Sequence, residues 1–245
     1  MSKSLSKFLS TLAATTVSIV LTFGTTAIID RKKQKTEKRE MVMMIMYDMR
    51  ESLKEMEQCD NDIRSFFDTQ VDILAHPQEF HADLSRKAAV LAVYIPSLTY
   101  SSTTENIFRS NVETIQTIGN ILFVETVSSF YDLRANFKSI VADPFQQNAS
   151  AALYDYDALC DFDSAGFPFY AYGLLRQMRE SLEQCKLMMK VTDKDLDVFS
   201  TQQEKLLEVT RGNYSEDTSA AADEMVERRQ KLIQARTEGA AGSGK

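Results

Sequence analysis

Val42–Ala75 reads VMMIMYDMRESLKEMEQCDNDIRSFFDTQVDILA. Its apolar residues fall into two interleaved seams seven positions apart. One is Val42, Met49, Met56, Ile63 and Gln70; the other is Met46, Leu53, Asp60, Phe67 and Leu74. Eight of these ten positions are apolar, the mark of a long helix with one buried face. The pattern predicts a helix ending near Ala75, because the residue before Pro77 is pushed out of the α region.

A second heptad follows DSAGFP. Its seams are Leu175, Leu182, Met189, Leu196 and Gln203, and Met178, Cys185, Thr192, Phe199 and Leu206; Gly212 is a good stop. The pentapeptide MRESL occurs in both helices, at Met49–Leu53 and Met178–Leu182. In each copy Met and Leu occupy the seams and Arg-Glu-Ser is expected to face outward. Cys59 flanks its seam whereas Cys185 lies within its own, so the copies share a heptad phase and not a cysteine site. Duplication and convergent heptad filling both fit.

Shorter helices are expected between the two. Phe80, Leu84, Ala88, Leu91 and Ile95 mark one, ended by IPS. YSSTTENIFRSN offers Ser/Thr caps ahead of Ile107, Phe108, Val112 and Ile115. After a break at Gly119-Asn120, Phe123, Val127, Phe130, Phe137 and Val141 mark a helix up to Asp143-Pro144, with QQNASAALYDYDAL as a short extension. With 8 glycines, 4 prolines and no convincing strand alternation, the expected fold class is all-α: an antiparallel helical bundle with two long heptad-patterned helices.

Phe8–Ile29 holds 22 residues without a charge, about 33 Å as a helix and enough for a hydrocarbon core of about 30 Å. A retained transmembrane anchor is the expectation. A cleaved signal peptide would normally have a shorter apolar core, and TTA is only a fair cleavage site. The organisation is then a tail at 1–7, a transmembrane helix at 8–29, a basic juxtamembrane segment at 30–40, a bundle at 41–212, and a weakly helical extension with a frayed tail at 213–245. Residues 30–40 carry six Lys/Arg against three acids, more than the two lysines of residues 1–29, so the positive-inside rule favours a cytoplasmic bundle. Short basic N-termini, however, commonly stay inside and export the rest of the chain. Of the net charge of −7, residues 41–245 carry −12, which argues against nucleic acid as a partner.

The stretch LTYSSTTENIFRSNVETIQTIGNILFVETVSSFYDL, Leu98–Leu133, together with the anchor resembles a family of uncharacterised small bacterial single-pass membrane proteins. In that family a membrane helix runs into a charged helix, and a later stretch breaks at a Gly-Asn-type turn before a helix ending in tyrosine. The resemblance implies a helical module at the bacterial inner membrane with no assigned catalysis and no active site. This chain departs from the family in its basic segment after the anchor.

Few residues suggest chemistry. His76 and His81 in HPQEFH, near Asp72, Glu79 and Asp83, would make at most a loose metal site, because their spacing does not put both on one helix face. Asp161–Gly166 opens like a calcium loop, but position 5 is Ala165 and position 12 is Tyr172 where a bidentate Glu is needed. Three cysteines, Cys59, Cys160 and Cys185, form no zinc or redox pattern. A Cys59–Cys185 disulfide would require the two long helices to run parallel. No nucleotide loop or nucleophile elbow occurs, so no catalytic, cofactor-binding or metal residue and no cofactor is expected.

The expected function is a non-catalytic, membrane-anchored module acting through protein–protein contact as an assembly or sensor-like subunit, its partners the bilayer and either a second copy or another membrane protein. A ligand-binding sensor with a pocket among the central helices is the alternative. Met46, Met49, Leu53 and Met56 are the expected interaction seam. Phe162, Phe167, Phe169 and Tyr170 are the expected membrane-proximal loop, on the assumption that the Phe123–Val141 helix returns toward the bilayer. Asp155, Asp157, Asp161 and Asp163 would then face the basic run Arg31–Arg39.

Overall fold

The computed structural model describes residues 3–110, 118–162 and 166–192 and scattered helical positions between 227 and 241; at 3–29, 31, 81, 166 and 189–192 it describes the backbone alone. All regular structure among these residues is helical. Helix α1 runs without interruption from Lys3 to Ala75, 73 residues and about 110 Å. Among the described residues no helix is long and apolar enough to cross a membrane. The side chains of the expected span, Phe8–Ile29, lie outside the described residues, as do the second heptad from Met189 onward, its stop at Gly212 and the calcium-like turn at 163–165.

All ten seam positions of α1 are buried, Asp60 and Gln70 included. The seam is thus continuous for nine turns, and its two polar members are accommodated by bonding. Asp60 pairs with Arg64 one turn on at 2.8 Å. Gln70 Nε2 donates to the Leu159 carbonyl at 2.6 Å, pairing the donor side of an amide whose buried Oε1 has no hydrogen-bond partner among the described residues. Residues 32–37, by contrast, are exposed. The basic segment therefore continues α1 as a bare helical stalk instead of forming a linker.

Helices α2 (Pro77–Ala82) and α3 (Leu84–Ala92) divide what the periodicity presents as one helix. The break is at Asp83, whose φ of −135° and ψ of 51° leave the helical region. Phe80, Ala88 and Leu91 still reach the core on either side. Helix α4 (Thr103–Ser110) buries Phe108 but leaves Ile107 partly exposed. Gly119 then turns the chain with φ of 65°, a left-handed value that costs glycine little. Asn120 caps helix α5 (Ile121–Phe137), its side chain accepting the Phe123 N–H at 3.1 Å.

The expected stop at Asp143-Pro144 is replaced by a π turn over Lys138–Ala142, in which the Asp143 N–H reaches back five residues to the Lys138 carbonyl. Helix α6 (Asp143–Ala152) starts at once, with Pro144 in its first turn, where no N–H is needed. Asp143 keeps helical angles despite preceding a proline, and Val127, Phe130, Phe137 and Val141 are all fully buried. Helices α7 (Tyr156–Asp161) and α8 (Gly166–Thr192) complete the described bundle.

Contacts along α1 give the direction of every leg. Arg134 of α5 bonds Asp48 and Ser52, while Phe145 of α6 packs on Phe66 and Phe67, so α5 and α6 ascend alongside α1. Phe167 packs on Phe145, Arg179 bonds Glu57, and Met188 lies against Thr126, so α8 descends. Helices α2–α4 also descend, from Ala75 back to the level of Asp48, which Glu105 reaches through Arg134. The result is an up-down-up-down bundle. This corrects one expectation, because α5 ascends where a return was expected, and the antiparallel α8 removes the parallel arrangement that a Cys59–Cys185 disulfide would require. Cys59 and Cys185 consequently sit at different heights, and both are free thiols.

Candidate functional site

The most concentrated polar chemistry lies where α1, α4 and α5 meet. Arg134 faces inward from α5 and is fully buried, held there because its neighbours Phe130, Tyr131 and Phe137 face the core. Its Nη1 donates to Ser52 Oγ at 2.8 Å and to Asp48 Oδ2 at 3.2 Å, and its Nη2 donates to Glu105 Oε2 at 2.6 Å. The rings of Tyr100 and Tyr131 lie 4.3 and 4.7 Å from Cζ, within cation–π range. The Tyr131 hydroxyl donates to Asp48 Oδ2 at 3.1 Å. Arg109 extends the network outward, bonding Glu105 at 2.8 Å and Asp132 at 2.7 Å. Asp48, Arg134, Glu105, Arg109 and Asp132 thus alternate in sign from core to surface.

Burial sets the protonation behaviour of this cluster. It holds the Asp48 carboxyl above its ordinary value, and the charge of Arg134 and the bond from Tyr131 only partly offset that effect. Burial, reinforced by the Asp48 charge, also pushes the Tyr131 hydroxyl up, so it remains a donor. Glu105 has two guanidinium partners, Arg134 and Arg109, whereas Asp48 has Arg134 alone and shares it. Chemically the cluster is an ion-pair clamp on three helices.

Sequence reasoning missed Arg134. A lone arginine amid FYDLRANF reads as a surface residue, and only the distant partners Asp48, Ser52 and Glu105 make its burial tolerable. Ser52 is the matching correction on α1. It was expected to face outward with Arg50 and Glu51, yet it is buried as the acceptor for Arg134. In the second MRESL copy Arg179 does leave its helix face, and it bonds Glu57 of α1.

The expected interaction seam, Met46, Met49, Leu53 and Met56, is wholly buried in the chain's own core. Helices α5 and α8 occupy the face that was expected to meet a partner. The expected membrane-proximal loop is likewise at the other end of the bundle. Phe162 and Phe167 join Phe66, Phe67 and Phe145 in a five-ring cluster with centroids 5.2 to 6.0 Å apart. Phe66 lies about 55 Å along α1 from Ile29, so this loop and the acids around it cannot face Arg31–Arg39. Asp155 instead caps α7, accepting the N–H groups of Asp157 and Ala158 at 2.9 and 3.3 Å. Phe169 and Tyr170 touch each other at this far end, each more than half exposed, and Tyr154, just beyond α6, is exposed as well.

His76 is exposed at the start of α2, and the side chain of His81 lies outside the described residues. Glu79 pairs with Lys87 and Asp83 with Arg86. Among the described residues no three His, Cys, Asp or Glu side chains are grouped to hold a metal ion. Comparisons with family models, curated proteins and solved structures find no match to this chain.

Proposed function

We propose that this chain is a non-catalytic, membrane-anchored helical module that acts through protein contact, as an assembly or sensor-like subunit of a bacterial inner membrane. The observation that carries the reading is the continuity of α1. One helix joins the uncharged stretch Phe8–Ile29, an exposed basic stalk and the central seam of the bundle. A displacement or rotation of the anchor would pass to the bundle without a hinge. The resemblance of Leu98–Leu133 to small single-pass proteins supports the same assignment.

With the methionine seam filled, the surface we assign to a protein partner is the far end, where Tyr154, Phe169 and Tyr170 expose aromatic faces. A pocket among the central helices gains no support, since Phe108, Phe123, Phe130 and Tyr131 fill that space. Two linked measurements test the proposal. Carbonate extraction should leave the full chain in the membrane pellet, and Val17→Arg with Ile19→Arg, each costing about 3 kcal/mol at mid-bilayer, should release it. A photo-crosslinker at Phe169 should capture another protein in native membranes. Release of the unmodified chain by carbonate, or no adduct at Phe169 where a crosslinker on the α1 stalk gives one, would overturn it.

A further inference from the structure

We propose that the base of the bundle docks on an anionic lipid surface, with Ile121 and Leu122 as its apolar contacts and the α1 stalk as its charged one. This rests on the membrane-anchored reading and adds a specific surface and lipid chemistry to it. Arg134 meets α1 at Asp48 and Ser52, and Ile121 precedes it by thirteen residues, about 20 Å down α5. Ascending helices in a bundle lie within about 20° of parallel, so Ile121 sits level with roughly residues 35–38 of α1. That is about 9 to 13 Å beyond Ile29. The headgroup layer is about 5 to 8 Å deep, and the usual tilt of a spanning helix, near 20°, narrows the remainder.

The residues at this height have the composition of a membrane-surface contact. Ile121 is 73% exposed and Leu122 56%, at the tip made by Gly119 and capped by Asn120. Leu187, 62% exposed, lies higher, beside Met188 on Thr126, about 8 Å or more above Ile121, and is not part of this contact. Such large aliphatic side chains are not needed to start a helix, and the core behind them is already supplied by Phe123 and Val127. On α1 this level carries the exposed Lys35 and the turn below it, toward the bilayer, the exposed Lys32 and Lys33, in a segment with a net charge of +3, whereas residues 41–245 are strongly acidic. An anionic surface would attract this end and repel the rest, fixing orientation as well as contact.

The chain contains no tryptophan, so one can be placed as a single reporter. Full-length Leu122→Trp, reconstituted in vesicles containing phosphatidylglycerol, should show blue-shifted emission quenched by lipids with a nitroxide on the headgroup. Tyr154→Trp, at the far end, should be neither shifted nor quenched. Quenching at position 122 should fall in phosphatidylcholine vesicles, and in Lys32→Glu/Lys33→Glu protein. Ile121→Trp gives an independent reporter should Leu122→Trp misfold. A chain that resists carbonate but shows equal quenching at 122 and 154, or quenching indifferent to lipid charge, overturns the docking surface and leaves the anchor standing. Crosslinking of position 122 between copies would assign the patch to a second chain and overturn it too. A chain released by carbonate overturns the anchor itself.

Discussion

At the scale of single residues, Arg134 is the position where the fold depends on charge. Its side chain is fully buried among two carboxylates, a hydroxyl and two aromatic rings. Arg134→Met leaves Asp48 partly buried without its cation and Glu105 with Arg109 alone, and should lower stability by about 3 to 5 kcal/mol in urea unfolding. Combining it with Asp48→Asn and Glu105→Gln should recover most of that loss, since the cost lies in the stranded charges and not in the missing arginine. No recovery would mean that the clamp works by shape. Asp48 also gives the cluster a pH signature. A carboxyl held above its ordinary value binds its proton more tightly folded than unfolded, so its contribution to stability falls as pH rises from about 3.8 through the folded value. Unfolding curves from pH 4 to 7 should therefore show the wild type losing stability relative to Asp48→Asn as pH rises. Parallel curves would deny Asp48 any part in the pH response.

At the scale of elements, Met49 and Met56 separate a core from an interface. Both are fully buried, so Met49→Ala and Met56→Ala should each cost about 2 to 5 kcal/mol and leave the oligomeric state unchanged by light scattering. A shift to monomer at unaltered stability would reinstate them as a docking seam. The heptad was legible because it depends only on local spacing: Val42 to Leu74 are buried at the expected positions, and Leu175, Met178, Leu182 and Cys185 continue the pattern on α8. The α5 core residues and the Gly119-Asn120 break were legible for the same reason. The features that were not legible depend on long-range partners. The burial of Ser52 needs Arg134, 82 positions away, and the burial of Gln70 needs the Leu159 carbonyl, 89 positions away. The π turn before Pro144 lets a helix pass a proline that local rules treat as a stop. Helix direction failed likewise, since heptads specify a buried face and say nothing of which way a partner runs.

At the scale of the whole molecule, the direction of the legs decides how sidedness can be measured. Burial pushes the thiols of Cys59 and Cys185 up to about 12, so both resist alkylation in the native chain. Cys160 alone is partly exposed. Native protein should therefore take up close to one maleimide, and denatured protein three. This makes Cys160→Ser a quiet background for a reporter at Tyr154, which is 72% exposed and stands at the far end, clear of the bilayer in the proposed arrangement. Six Lys/Arg lie beyond the uncharged stretch within residues 30–40 and two precede it, so the bundle should face the cytoplasm. In intact cells Tyr154→Cys should then react with a membrane-impermeant maleimide only after lysis. Labelling while the inner membrane remains sealed would place the bundle outside. It would also mean that the stalk's lysines were exported despite their charge, an outcome reachable only if the short basic N-terminus dominates insertion. The aromatic end would in that case meet envelope proteins, and the search for its partner would move with it.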